Sequence, residues 1–185
     1  MMRIWRCIGR VIGASLILGK GVNVDGLGVF CFDLDGAPMF ALQPVGGINW
    51  RPQTRQLPGQ CTVLPKVSLK LVMELSTQSR EMVDTVLREV ITEAQRAAKH
   101  ICPSFFLSFA SVGEFVWTAD DPSGPGLRGY GPAGVRFNNK LKSRLRHAMR
   151  KGTTKKSIKA LLAERYVRPL QPAPGYEDGD AGAGA

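Results

Sequence analysis

Asp33 and Asp35, which stand two positions apart, are the residues whose types and spacing could do catalytic chemistry. In metal-dependent phosphoryl transfer, one aspartate of such a pair attacks phosphorus and the other acts as acid and base. That chemistry also needs Mg²⁺, a Thr or Val after Gly36, a downstream Lys and a late acidic pair. Here Ala37 and Pro38 follow, and a β-rich segment returns where a helix would have to begin. The pattern favours a hairpin turn at Asp35-Gly36, with Asp33 on its exposed face.

A glycine-rich segment that ends in Gly19-Lys20-Gly21 departs from the pattern of a phosphate-binding loop. Five residues separate Gly13 from Gly19 where the pattern needs four, and Gly21 stands where a Ser or Thr would bind Mg²⁺. The glycines also end a predicted helix, whereas a phosphate-binding loop opens one. We therefore predict no nucleotide site here.

The remaining residues that could bind a metal or act as nucleophiles are Cys7, Cys31, Cys61, Cys102, His100 and His147. Their spacing contains no C-x-x-C pair, so a structural zinc site is not expected. Three of the four cysteines have apolar neighbours, which favours reduced core residues of an intracellular protein over two disulfides. We predict a non-enzymatic chain with no cofactor, no metal and no small-molecule substrate.

The charge of the chain is concentrated in one segment. The net charge is +10 over 185 residues, and no run of about 18 uncharged apolar residues could span a membrane. Residues 1–137 hold 14 Lys and Arg against 11 Asp and Glu, whereas residues 138–168 hold 11 against one. Residues 169–185 hold three acids and no cation, and their Pro, Gly and Ala content predicts a disordered tail.

The basic segment has the pattern of two amphipathic helices on either side of a break at residues 152–154. Their apolar faces are Leu141, Leu145, Ala148 and Met149 in the first, and Ile158, Leu161, Leu162 and Tyr166 in the second. Such helices can pack their apolar faces on the rest of the protein and present their cations to a polyanion. Nucleic acid, an anionic membrane and the acidic surface of tubulin are all candidate polyanions. The candidate partner-binding cations are Lys140, Lys142, Arg144, Arg146, Arg150, Lys151, Lys155, Lys156 and Lys159.

The N-terminal residues predict an amphipathic helix that ends near Gly19. The residues on its apolar face recur at helical spacing: Ile4, Trp5, Ile8, Val11, Ile12 and Leu16. Three arginines and no acid before Asp25 leave a mitochondrial presequence as the alternative interpretation.

The rest of residues 1–137 predicts a mixed α+β fold in two similar halves. Strands are predicted at 29–34 and 39–42, a loop or arm at 43–62, a short helix at 67–75 and a long helix at 82–101 with Ser79 as its N-cap. Further strands are predicted at 105–109, 112–118 and 135–137, after a Pro- and Gly-rich loop at 120–134. Segments 26–30 and 111–115 resemble each other at an offset of about 85 residues.

These residues resemble the HU/IHF-like domains of the coiled-coil-domain-containing protein 81 family. The resemblance rests on the string Trp5…Ile8-Gly9…Gly19-Lys20-Gly21-Val22-Asn23-Val24-Asp25-Gly26-Leu27-Gly28-Val29-Phe30. Residues 67–137 are similar to the family's second domain, through Val112-Gly113-Glu114-Phe115 and Val135-Arg136-Phe137. The first half departs from the family, because no short helix precedes its long one.

The resemblance implies two HU-like halves at 1–62 and 63–137 that form an intrachain pseudo-dimer. A basic helical extension at 138–168 and a disordered acidic tail at 169–185 follow. HU bends DNA with basic arms that carry a wedging proline. The candidate arms here are residues 43–62, which contain Trp50, Arg51, Pro52 and Arg55, and residues 120–134. These arms hold few cations, so they would bind phosphates weakly.

The family's association with centrosomes and cilia implies a structural scaffold of the microtubule cytoskeleton. The expected partners are tubulin or other axonemal or centriolar proteins, and the expected location is the cytoplasm, in the ciliary axoneme or the centrosome. The alternative is a nucleic-acid-binding protein, either an HU-like architectural DNA binder or a mitochondrial ribosomal component.

Overall fold

The computed structural model describes residues 2–33, 36–42, 64–100, 104–118, 129–130 and 133–151. These residues form a mixed α+β fold, as the sequence predicts, with four helices and seven short strands. The helices are α1 (Met2–Ile17), α2 (Leu69–Ser76), α3 (Arg80–His100) and α4 (Asn139–Lys151). The strands are β1 (Val22–Val24), β2 (Gly28–Phe32), β3 (Pro38–Leu42), β4 (Ser104–Phe109), β5 (Gly113–Thr118), β6 (Gly129–Tyr130) and β7 (Ala133–Phe137).

The predicted N-terminal helix is confirmed as α1. Its six predicted core residues are all buried, because their spacing places them on one helical face. Gly19 ends the helix in a left-handed conformation, with φ of 70°. The Gly19 N–H donates to the Leu16 carbonyl at 2.8 Å, and the Lys20 N–H donates to the Ser15 carbonyl at 2.9 Å. Glycine adopts this conformation without strain, which is why the helix stops there.

The strands form two small sheets. In the first sheet the order is β1-β2-β3-β6, with antiparallel neighbours except for β6, which runs parallel to β3. In the second sheet the order is β4-β5-β7, and all neighbours are antiparallel. The strands β1 and β6 have three and two residues. They are too short to show the alternation of apolar and polar residues that predicts a strand. Strand β6 lies within the segment that was predicted to be a loop.

A three-residue turn joins β1 to β2 in the first sheet. Val24 pairs with Gly28 across the turn, and the Leu27 N–H donates to the Val24 carbonyl at 3.0 Å. Gly26, at the centre of the turn, has a φ of 77°. Val24 and Leu27 are buried, so the turn is part of the core.

The same turn recurs 85 residues later, between β4 and β5 of the second sheet. Phe109 pairs with Gly113, and the Val112 N–H donates to the Phe109 carbonyl at 3.1 Å. Ser111 stands at the centre of the turn with a φ of 71°, although it is not glycine. The similarity of segments 26–30 and 111–115 in the sequence therefore corresponds to a repeated backbone geometry.

Both sheets contribute aromatic rings to one interior. Phe30 of the first sheet and Phe109 of the second meet edge to face with ring centroids 5.4 Å apart. Phe40 and Phe115 make a second edge-to-face pair across the sheets, also at 5.4 Å. All four rings are buried to 2% exposure or less, within a cluster that includes residues of every helix. The two sheets therefore share a single hydrophobic core.

Each long helix packs on the turn of the other sheet. On α1, the Trp5 indole Nε1 donates to the Ser108 carbonyl at 2.8 Å. A Cβ at Gly9 would lie 2.5 Å from the Ala110 carbonyl oxygen, so only glycine allows this approach. On α3, the Gln95 Nε2 donates to the Gly26 carbonyl at 2.8 Å. These reciprocal contacts connect residues far apart in the chain.

The helices α2 and α3 form a helical hairpin with serine caps. The Leu71 N–H donates to the Ser68 Oγ at 3.4 Å, and the Met82 N–H donates to the Ser79 Oγ at 3.3 Å, which confirms Ser79 as an N-cap. The apolar spacing of the sequence predicts one stripe along this helix that includes both Met82 and Val83, and for Met82 this is wrong, since the residue is 48% exposed. Val83 is buried as predicted, and it lies about 100° further around the helix than Met82.

Candidate partner-binding surface

Helix α4 begins at a well-defined point on the second sheet. The Asn138 N–H donates to the Val112 carbonyl of the β4–β5 turn at 2.9 Å. The Asn138 side chain caps the helix, because its Oδ1 accepts a hydrogen bond of 2.7 Å from the Leu141 N–H. Residue 138 therefore fixes both the position and the first turn of α4.

Three apolar side chains hold α4 against the body. Leu141, Leu145 and Ala148 are 1%, 5% and 8% exposed, at a spacing that defines one helical face, and α4 packs against α1. The prediction that Met149 shares this face is wrong, since it is 60% exposed. Met149 lies about 100° from Ala148 around the helix, and its Cε would be 3.1 Å from a Cβ built at Gly36.

The other faces of α4 carry cations. Lys140, Arg146 and Arg150 are exposed, and Lys142 and Arg144 are half-buried. The helix contains no Asp or Glu. Within the described part of the chain, none of these five cations forms an ion pair with a carboxylate. Their charges are therefore available to an external anion.

The neighbouring helix α1 also exposes arginines. Arg3 and Arg6 are exposed and Arg10 is half-buried, and α1, like α4, contains no carboxylate. These residues recur at positions i, i+3 and i+7, opposite the apolar face. Helices α2 and α3 together carry five cations and five acids, so cationic charge is concentrated on α1 and α4. In the sequence these arginines supported the alternative of a presequence, and they were not predicted to be partner-binding cations.

The outward faces of the sheets do not form a cationic surface in the described residues. On the second sheet, Arg136 lies 3.8 Å from the Glu114 carboxylate. On the first sheet, the outward side chains are apolar and buried, with Leu64 packed against them: Val29, Cys31, Met39 and Ala41. In the described residues the outward sheet faces therefore add no cationic surface to that of α1 and α4.

Several predicted site residues lie outside the described residues. They are Lys155, Lys156 and Lys159 of the basic segment, and Trp50, Arg51, Pro52 and Arg55 of the first candidate arm. Lys151 is the last residue of α4. Two residues of the second candidate arm form β6, which pairs with β3.

Asp33 has a structural role in the turn between β2 and β3. Its carboxylate Oδ1 accepts a hydrogen bond of 2.7 Å from the Ala37 N–H, and its carbonyl accepts one of 3.0 Å from the Gly36 N–H. Asp35 lies outside the described residues. The described residues contain no group of three His, Cys, Asp or Glu side chains that could hold a metal ion. None of the helices in the described ranges is long and apolar enough to cross a membrane.

Two of the cysteines are buried residues that form no disulfide. Cys7 and Cys31 are buried and take part in no disulfide, as the sequence predicts for them, whereas Cys61 and Cys102 lie outside the described residues. Burial raises the pKa of the Cys7 thiol, and the nearby positive charges of Arg10 and Arg3 oppose this effect. A buried neutral thiol is a poor nucleophile, so Cys7 acts as a packing residue.

The chain was compared with known protein families and with curated proteins. No family model matches it, and no curated protein matches it.

Proposed function

We propose that this chain is a non-enzymatic structural protein of the microtubule cytoskeleton, in the ciliary axoneme or the centriole. In this proposal the two halves, residues 1–137, dock beside acidic tubulin or a neighbouring axonemal protein, and the basic segment 138–168 anchors them there. The resemblance of residues 5–30 and 67–137 to a family associated with cilia supports the choice of microtubules.

The observation that supports the proposal is that α4 is held on the core by one face and carries unneutralised cations on its other faces. Three buried apolar residues hold the helix on the core, so its cations are presented from a fixed surface. Five of these cations have no acidic partner among the described residues, and α4 contains no acid that would neutralise them. Uncompensated like charges on one helix repel each other, which disfavours the arrangement unless an external polyanion is bound.

We propose further that residues 1–62 and 63–137 are two HU-like halves of an intrachain pseudo-dimer. The repeated turn at an offset of 85 residues supports this interpretation, as do the reciprocal contacts of α1 and α3 with those turns. In such an arrangement α4 follows the second half and begins the basic extension at 138–168. Residues 169–185 then form an acidic tail beyond the anchor.

An acidic protein surface suits the described charges better than a bent DNA duplex does. HU-like bending uses cations on arms and sheets, whereas the cation described on the outward sheet faces, Arg136, lies beside Glu114. The exposed cations of α1 and α4 can meet a partner without bending it. Acidic tubulin surfaces provide such a partner.

Sedimentation with stabilised microtubules over a salt series tests this function. In the test variant Lys140, Lys142, Arg144, Arg146 and Arg150 are changed to Gln. The matched control changes the five cations of α2 and α3 to Gln: Lys70, Arg80, Arg88, Arg96 and Lys99. Exposed ion pairs contribute roughly 0.2–1 kcal/mol each, so we expect the loss of five to make the test variant bind at least about five-fold more weakly than the control. Equal affinities of the two variants would refute the anchoring role of α4.

The alternative function is nucleic-acid binding, which the same unpaired cations favour on physical grounds. Titration with duplex DNA and with ribosomal RNA, in the same buffers, distinguishes the two functions. If five cations contacted duplex phosphates, the salt dependence would have a log–log slope of about −4.5. We expect weaker binding to both nucleic acids than to microtubules at physiological salt. Tighter duplex binding that is lost on changing Arg51 and Arg55 to Ala would establish the alternative.

A further inference from the structure

A groove of 730 Å³ runs between α3 and the free edge of the second sheet. Strand β4 is the first strand of that sheet, and in the described residues no strand pairs with its outer edge. Phe105, Phe106 and Leu107 all line the groove, although successive side chains of a strand point to opposite faces. The groove therefore opens along the edge of β4. Its opposite wall is α3, through residues that include Val90 and Ala94.

One contact shows which backbone groups of β4 point away from β5, toward the outer edge of the sheet. The Ser108 carbonyl faces away from β5, because it accepts the hydrogen bond from the Trp5 indole. Backbone groups alternate along a strand, so the N–H and C=O of Phe106 and Ser104 face the same way. Phe106 is 74% exposed, and Ser104 is also exposed. Among the described residues, the groove thus combines an unpaired strand edge with the exposed ring of Phe106.

The first sheet shows how the equivalent edge is used. Asn23 stands 85 residues before Ser108, on the outer edge of β1, where an extended segment of the chain pairs with it in parallel. The Asn23 N–H donates to the Pro65 carbonyl and the Val67 N–H donates to the Asn23 carbonyl, both at 2.9 Å. Val67 is buried by this pairing. An extended segment can therefore pair with the outer edge of the strand that precedes the repeated turn.

We propose that the groove between α3 and β4 binds an extended peptide segment of a partner protein, which adds to the second sheet as a strand at β4. Its backbone pairs with Ser104 and Phe106, as in other cases of strand addition. Apolar side chains at alternate positions enter the groove against Val90 and Leu107. The peptide also carries a Lys or Arg for Glu89, which lines the groove, is exposed and has no ion-pair partner in the described residues.

Charge complementarity favours a basic residue in the peptide over an acidic one. Glu93 also lines the groove, but Arg96 already lies 3.0 Å from its carboxylate. Arg88 also lines the groove and is exposed, but it is one cation against the two carboxylates of Glu89 and Glu93. A cation opposite Glu89 would gain an ion pair without breaking one.

Selection of a random peptide library displayed on phage, against the full chain, tests the proposal. A synthetic peptide of the enriched sequence is then titrated by fluorescence anisotropy into the wild type and three variants. Phe106→Pro removes one outward N–H, at an edge position where a strand tolerates proline. Phe106→Ser removes the same ring but keeps that N–H. Glu89→Lys reverses the charge on an exposed helical position and leaves the sheet unchanged.

We expect the enriched peptides to share alternating apolar residues and a Lys or Arg. Phe106→Ser should weaken binding by less than about five-fold, and Phe106→Pro by about two- to twelve-fold more than that, because the peptide loses a backbone hydrogen bond only in the latter. Glu89→Lys should weaken it about ten-fold, which keeps the test decisive should Phe106→Pro fail to fold.

The five α4 substitutions to Gln should leave peptide affinity unchanged, since the groove is separate from the basic helix. Absence of any enriched sequence, equal affinities of Phe106→Pro and Phe106→Ser when both fold, or an unchanged affinity of Glu89→Lys would overturn the proposal. So would peptide binding that depends on the α4 cations.

Discussion

Replacing Gly9 by Ala on α1, with Gly13→Ala as its control, tests the contact between α1 and the second sheet. The two glycines lie one turn apart on the same helix, so each alanine gains about 1 kcal/mol of helix propensity. At Gly13 the nearest atom to a new Cβ is the Ser111 carbonyl oxygen, at an ordinary contact distance of 3.4 Å. We therefore expect Gly13→Ala to raise the free energy of unfolding by about 0.5–1 kcal/mol.

The Gly9→Ala substitution meets the backbone of the β4–β5 turn. The new Cβ would lie 2.5 Å from the oxygen and 2.8 Å from the nitrogen of Ala110, and neither atom can rotate away. Overpacking of this kind costs about 1–3 kcal/mol. A displacement of α1 also weakens the hydrogen bond from Trp5 to Ser108, at a cost of about 1 kcal/mol. After the propensity gain, we expect a net loss of about 1–3 kcal/mol.

Urea unfolding of the two variants and the wild type measures this difference. Relative to the wild type, we expect the urea midpoint of Gly13→Ala to rise and that of Gly9→Ala to fall, with an unchanged m-value. The difference corresponds to about 1.5–4 kcal/mol in the free energy of unfolding between the two variants. A Gly9→Ala variant that is as stable as Gly13→Ala would show that α1 does not pack on the turn of the second sheet, and the shared core would lose its main support.

Four further outcomes follow from described residues. Gly113→Ala should destabilise the chain by about 3 kcal/mol or more in urea unfolding, because Gly113 has a φ of 150° and its Cβ would overlap the Arg136 carbonyl oxygen. Asn138→Ala should cost about 1 kcal/mol and weaken microtubule binding by fraying α4. Since burial raises the pKa of Cys7 above its usual value of 9.0, the unfolded thiol ionises first as pH rises. Stability should therefore fall above pH 9.0, and Cys7→Ala should reduce that fall in urea midpoints measured against pH. Purified wild type and Asp33→Asn should both lack Mg²⁺-dependent phosphatase activity on a chromogenic phosphate ester, and activity lost only in the variant would restore the catalytic interpretation of Asp33.

The sequence predicted the elements whose signals are local. The face of α1 follows from helical spacing, and the ends of α1 and α3 follow from Gly19 and Ser79, whose backbone or side chain acts within one turn. The turn between β2 and β3 was visible because Asp35-Gly36 joins two β-rich runs. Each of these signals acts between neighbours in the chain, so tertiary packing reinforces it.

The features that the sequence did not predict depend on contacts between distant residues. Met82 and Met149 have apolar side chains near helix ends, and only the packing of each helix decides that they are exposed. The contact between Gln95 and Gly26 spans 69 positions and leaves no periodic pattern. The cations of α4 were predicted from composition, whereas the arginines of α1 join them only because the two helices pack together.

The proposed function requires that the cations of α1 and α4 bind an acidic surface. The most direct test compares the affinity of the wild-type chain for intact microtubules with its affinity for microtubules whose acidic tubulin tails have been removed by protease. We expect at least ten-fold weaker binding after tail removal, and a steep salt dependence only for the intact microtubules. Equal affinity for both preparations, with the same salt dependence, would contradict the account.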